Sequence, residues 1–153
     1  GIIASIIARS PTPTQHTIVI DQGARDGLSM ESVIVDASGV VGRVIELHEA
    51  VALVLLLTDP DSRVAGIVER SRESGLLQGS GRGQCEFLYL DAGADITEGD
   101  RILTAGLSGS FPKGLVLGTV TRVTRDELLG TTSAVVRPAA ALGRVEDVLC
   151  LSR

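Results

Sequence analysis

Two histidines, two cysteines and one loop serine are the residues whose types could support nucleophilic or metal chemistry: His16, His48, Cys85, Cys150 and Ser108 in Gly106-Leu107-Ser108-Gly109. A hydrolase needs the serine hydroxyl, a histidine base and an orienting acid within hydrogen-bond reach of one another. His48 falls in the polar turn Leu47-His48-Glu49 and His16 follows Pro11-Thr12-Pro13, so both read as exposed turn histidines. The four metal-capable side chains lie far apart with no close ligand spacing, so no metal site is expected. Gly79-Ser80-Gly81-Arg82-Gly83 lacks the sixth-position glycine and the following helix of a dinucleotide fingerprint, and reads as a hairpin loop. No cofactor is expected. Each cysteine continues an alternating apolar register, Cys85 with Phe87 and Tyr89 and Cys150 with Val148, which predicts buried free thiols.

The elements that would position these residues are strands. The run Val51-Ala52-Leu53-Val54-Leu55-Leu56-Leu57 is too short for a bilayer and rich enough in branched residues to be a buried strand. It must stop at Thr58-Asp59-Pro60-Asp61-Ser62, where the aspartates bond nearby N–H groups and Pro60 has no donor for a ladder. Before this turn the pattern gives strands over Ile3–Arg9, His16–Ile20, Val33–Val35 and Val40–Ile45. Gly39 suits a positive φ in the Asp36–Gly39 turn, and Gly42 marks a bulge or barrel corner where backbones come close. After it come strands at Arg63–Val68, Gly75–Gln78, Cys85–Leu90, Arg101–Thr104, Leu115–Val123 and Thr131–Arg137, a short helical turn over Pro138–Arg144, and a last strand at Val145–Leu151. No helix-period stripe exceeds two turns.

The predicted fold class is therefore all-β: two small β-barrels of about six strands each, joined at the Thr58–Ser62 turn, which acts as a hinge. Residues 1–59 form the first barrel, with strand 144–153 available to return to it, and residues 60–143 form the second. A weak repeat of about 70 residues, Gly23-Ala24 and Gly42-Arg43-Val44 against Gly93-Ala94 and Gly118-Thr119-Val120, fits duplicated small domains.

At 153 residues and 44% hydrophobic, the chain can bury a core of this kind. The net charge of −5 with dispersed arginines leaves no footprint for a phosphate backbone, and Phe87, Tyr89 and Phe111 are the only aromatics, so nucleic acid is not an expected partner. No apolar run reaches the ~18 residues of a membrane span.

Three segments carry a family resemblance: Gly39-Val40-Val41-Gly42-Arg43-Val44; Leu55-Leu56-Leu57-Thr58-Asp59-Pro60-Asp61-Ser62-Arg63-Val64; and the stretch from Gly99-Asp100-Arg101-Ile102-Leu103-Thr104 through Ala105 to Gly114. In order and spacing they resemble the β-rich extracytoplasmic part of the rod shape-determining MreC proteins. Ala105 stands where that family commonly has serine. The resemblance implies two β-barrels, no catalysis, a homodimer or larger self-assembly, and a scaffold role in the bacterial cell-elongation machinery. The implied partners are the class B penicillin-binding transpeptidase, RodA, MreD and, indirectly, MreB. It also implies a periplasmic or extracytoplasmic location, with a membrane anchor and coiled coil preceding this region in the full-length protein. A chymotrypsin-like double-barrel hydrolase and an unrelated extracellular β-barrel binding module are the alternatives.

The candidate partner-contact loop comprises Thr104, Gly106, Leu107, Phe111, Pro112 and Lys113. Phe111 either plugs a barrel end or anchors an interface beside Leu107, with Lys113, the only lysine, at the rim. Incompletely closed barrels would leave strand edges for self-association.

Overall fold

Alternation of apolar and polar residues produces twelve strands among the residues described, which are 1–10, 12, 14–106 and 111–151 of this computed structural model. They are β1 (Ile2–Arg9), β2 (Thr17–Ile20), β3 (Val33–Val35), β4 (Val40–Leu47), β5 (Ala52–Leu56), β6 (Arg63–Val68), β7 (Ser74–Gly79), β8 (Cys85–Asp91), β9 (Arg101–Thr104), β10 (Val116–Asp126), β11 (Thr131–Pro138) and β12 (Asp147–Leu151). They close into two antiparallel barrels, β1-β12-β3-β4-β5-β2 and β10-β11-β8-β7-β6-β9. The all-β, double-barrel expectation is met.

β12 lies between β1 and β3, with Leu149 opposite Ile3 on one side and Val35 on the other. The whole second barrel is thus inserted between β5 and β12 of the first. Closure also corrects an expectation: both sheets close, so neither barrel is incompletely closed, although β10 beyond Val120 is paired on its β11 side alone.

Inward residues follow the period of two, as in β11, where Thr132, Ala134 and Val136 are buried between more exposed neighbours. Phe87 fills the second barrel, and a Cβ on Gly75 would stand 2.8 Å from its ring, so the glycine makes room for it. One continuous apolar core runs through both barrels, from Ile20 and Val54 to Phe87 and Ile102. The segment Pro138–Arg144, expected to make a short helical turn, forms no helix. Ala139 N–H instead donates to Leu117 O at 3.0 Å, docking the segment on β10, and one turn closes from Arg144 N–H to Ala141 O. So short a segment cannot offset helix nucleation once its amides have other partners. The single turn of 3-10 helix lies elsewhere, at Ala24–Asp26.

The segment between β5 and β6 joins the two barrels, as expected, and is pinned from both sides. Toward the first barrel, Leu57 N–H donates to Val41 O at 3.1 Å and the His16 N–H donates to Asp59 Oδ2 at 2.8 Å. Toward the second, Gly81 N–H donates to Thr58 O at 2.9 Å, Gln78 Nε2 to Pro60 O at 3.1 Å and Cys85 Sγ to Leu57 O at 3.3 Å. Asp59 also accepts from Asp61 N–H at 2.8 Å, and with 4% exposure it is a buried, fully used turn carboxylate.

Of the turn glycines, Gly39 is not in the left-handed region; it is small because a Cβ would meet Val116 O of the second barrel at 2.6 Å. A Cβ on Gly42 would lie 2.0 Å from Leu55 O, a close backbone approach inside the first barrel.

Gly79 tests the pinned junction, since its Cβ would fall 2.1 Å from Asp59 O and 2.4 Å from Thr58 C. Gly79→Ala should lower stability in urea unfolding by ~2–3 kcal/mol, the cost of overpacking against backbone. A strand glycine with open space would lose nothing or gain slightly on this change, and that outcome would mean the junction yields.

Candidate functional site

The loop following β9 is held at its neck by one side chain. Thr104 Oγ1 donates to Pro112 O at 2.5 Å and accepts from Leu115 N–H at 2.8 Å, so it bridges the two ends of the loop. Thr104 is fully buried, which removes it from the expected contact surface and makes it an internal clamp. Gly106 sits at φ +71 with Lys113 packed beside it, a geometry that disfavours any Cβ. Phe111 is half-buried and packs on the core, while Pro112 and Lys113 face solvent. Leu107 lies outside the described residues.

The residues weighed for hydrolysis are not assembled into a triad among the described residues. His16 is half-buried rather than exposed, its Nδ1 2.7 Å from Thr58 Oγ1, because the junction packs over it. His48 is exposed and its Nε2 meets Glu46 Oε1 at 2.7 Å. Ser108 lies outside the described residues. Among those described, no group of three or more histidine, cysteine, aspartate or glutamate side chains is placed to hold a metal ion. Cys85 and Cys150 are buried free thiols; burial pushes Cys85 up to about 12, and burial together with Asp21 pushes Cys150 up to about 11. Both therefore stay protonated and unreactive at neutral pH.

The outer faces carry apolar side chains that sequence reasoning passed over. Ile3 is 74% exposed and pairs across the strands with Leu149, itself beside Val35. On the second barrel, Tyr89 is 77% exposed at φ +67, where β8 shifts register against β11. Leu128 and Leu129 stand at the tip of the β10–β11 hairpin, 98% and 74% exposed. Alternation tells which residues face outward, and Ile3 could have been found that way. The Tyr89 bulge has no comparable signal, because a non-glycine left-handed residue is set by pairing on both sides.

One arginine braces an end of the second barrel through two aspartates. Arg70 forks to Asp100, Nε to Oδ1 at 2.9 Å, and to Asp95, Nη2 to Oδ1 at 2.7 Å. Thr97 N–H also donates to Asp100 Oδ2 at 2.9 Å. The Arg70 hydrogen bonds hold Asp100 below the usual carboxylate range against the opposing effect of burial, with Thr97 adding to them. Arg70 likewise lowers Asp95, and Arg101 lowers Glu69. Arg125 closes the same end, donating to Ala94 O at 3.0 Å and Ala92 O at 3.2 Å.

Two closed barrels, one inserted into the other, with apolar side chains on their outer faces, define a protein of the double-β-barrel class. Comparison with known sequences names the family: the profile of the rod shape-determining protein MreC barrel core matches residues 6–152, and the chain belongs to that family. The cell shape-determining protein MreC of Listeria monocytogenes is 30% identical over 98% of this chain, which spans 52% of that relative's length. The crystal structure of MreC from Pseudomonas aeruginosa superimposes with a TM-score of 0.94 at 32% identity, covering 98% of this chain and 97% of that one. A complex between penicillin-binding protein PBP2 and MreC from Helicobacter pylori matches with a TM-score of 0.77 at 17% identity, covering 99% of this chain and 96% of the matched chain, and so shares the fold.

The brace makes stability sensitive to acid. Carboxylates lowered in the folded state contribute stability that is present above their unfolded value of about 4 and is lost as pH falls through the lowered folded values. Urea midpoints taken from neutral pH to about pH 3 should fall steeply below about pH 4. Asp100→Asn should cost ~1–3 kcal/mol at neutral pH and flatten that fall. An unchanged acid slope in the variant would show that the brace does not set it.

Proposed function

We propose that this chain is the extracytoplasmic, non-catalytic scaffold region of a bacterial cell-elongation protein, acting through protein–protein contacts. Residues 1–59 with 144–153 serve as one barrel domain and residues 60–143 as the other. The observation that carries the reading is the family match across residues 6–152. Because the chain spans only part of its relatives, the membrane anchor and the periplasmic setting belong to the proposal as well.

The proposed partner is a class B penicillin-binding transpeptidase, whose synthesis activity the scaffold would position and regulate. The solved complex of an MreC with PBP2 from another bacterium supports this choice. RodA, MreD and, through the membrane, MreB complete the proposed set. In this reading the closed barrels favour outward side chains over strand-edge pairing as the main grip. Phe111, Pro112 and Lys113 on the β9–β10 loop and the apolar Tyr89, Leu128 and Leu129 are candidates on the second barrel. Aliphatic contacts bury little area each, so many positions would share the energy.

Self-association is proposed for the first barrel, where Ile3, Leu149 and Val35 form an apolar patch across three neighbouring strands. Sedimentation at rising concentration should show reversible growth in mass, and Ile3→Glu should suppress it without loss of folding. A monomer at every concentration up to about millimolar would remove this part of the proposal; its contact would be weak by the usual area standard.

Transpeptidase binding through apolar contact should tolerate salt. Between about 0.05 M and about 1 M salt the Debye length falls from over ~10 Å to about 3 Å, which screens exposed charge and leaves apolar burial intact. Affinity for the transpeptidase's extracytoplasmic domain should change by less than about tenfold across this range. A loss of about a hundredfold, ~2.7 kcal/mol, would show that charge carries the interface.

A further inference from the structure

A cavity of about 670 Å³ opens between the two barrels, and its wall has a charge opposite to that of the molecule. The chain is net −5, yet this wall contains Arg9, Arg137 and Arg144 and, among the described residues, no aspartate or glutamate. Arg9 is held in place by donating to Leu142 O at 2.8 Å and Val145 O at 2.5 Å, two carbonyls that leave its charge uncompensated. Among the described residues, the side chains of Arg137 and Arg144 have no hydrogen-bond or ion-pair partner. The nearby carboxylate of Asp59 is occupied by the amides of His16 and Asp61.

Below this cationic rim the lining is small and aliphatic, with Leu56, Ala140 and Leu142 buried. The hydroxyls of Ser10 and Thr17 and the Gln15 amide add hydrogen-bonding groups along one side. A ligand that fits carries anionic groups, a body of small apolar side chains and a backbone needing polar partners. Among the described residues His16 is the one ring in the lining, its Nδ1 2.7 Å from Thr58 Oγ1, and no Phe, Tyr or Trp offers a platform for a nucleotide base.

We propose that the cleft between the barrels binds a short carboxylate-bearing peptide, with Arg137 and Arg144 taking its carboxylates and Arg9 supplying fixed positive charge. Guanidinium groups pair with planar carboxylates through two parallel hydrogen bonds, which favours this ligand class. A cavity of a few hundred Å³ admits a ligand of that size. Arginines on a low-dielectric wall of one sign concentrate the field there despite the net negative charge. This inference does not depend on the transpeptidase reading, because the cleft lies apart from the candidate contact loop.

The test uses this chain with a tetrapeptide of alternating alanine and glutamate, followed by the arginine side-chain N–H resonances. Saturable shifts at Arg9, Arg137 and Arg144 are expected, with affinity falling about tenfold in Arg137→Gln and again in Arg144→Gln. Neither side chain bonds to the protein among the described residues, so thermal unfolding of both variants should match the parent. Capping the peptide's end as an amide distinguishes its sources of charge: weaker binding assigns the anchor to the terminal carboxylate, equal binding to the glutamates, and both support the site. Equal binding of a lysine-for-glutamate peptide, inorganic phosphate binding as tightly as the peptide, or unchanged affinity in both variants would overturn it.

Discussion

The structure depends on the crossing segment Leu57–Ser62, whose polar groups are shared between two barrels. Leu57 gives its N–H to Val41 in the first and its carbonyl accepts the Cys85 thiol in the second. Asp59 receives the His16 amide, while Thr58 and Pro60 carbonyls receive Gly81 and Gln78. A connection without such partners would leave buried amides and carbonyls unsatisfied, at a cost comparable to a lost hydrogen bond for each. The crossing is therefore stable only with both barrels in their places.

Insertion makes a second crossing obligatory, from β11 back to β12. It is also docked, through Ala139 N–H on Leu117 O and through Arg9 on Leu142 and Val145. Gly39 lets the β3–β4 turn approach Val116 closely at the same boundary. Two straps and a continuous core resist relative rotation better than one flexible linker would, since a hinge needs residues free to change φ and ψ. The missing side chain at Gly79 matters for this reason, because it is where the first strap meets β7.

Strand existence was legible because period-two alternation and turn residues survive in the sequence: Val33–Val35, Arg63–Val68 and Arg101–Thr104 coincide with observed strands. The Thr58–Ser62 turn was legible for the same reason. Its role was not, because the partners that turn a hinge into a strap come from Val41, Gln78 and Cys85, far away along the chain. The repeat was partly legible: Gly42 and Gly118 each approach a carbonyl of the neighbouring strand, Leu55 and Arg137, whereas Gly23 packs on His48 and Gly93 on nothing. In the contact loop, Thr104 looked like surface from its sequence neighbours and is an internal clamp. Polar residues beside glycines are ambiguous until the loop's two ends are seen to meet.

Closure and strapping together decide what such a molecule can offer a partner. With both sheets closed, most strand backbone groups are used internally, so outward side chains and the space between the barrels are the main surfaces left for recognition. The outward apolar residues are dispersed over separate faces, Ile3 and Leu149 on one barrel, Tyr89, Leu128 and Leu129 on the other, which suits contacts with more than one protein at once. The cleft differs in kind. Its walls come from both barrels and from the second strap, so its shape is fixed by the same hydrogen bonds that fix the barrels relative to each other. Because the backbone around it is docked on both barrels, filling the cleft costs mainly the ordering of the Arg137 and Arg144 side chains.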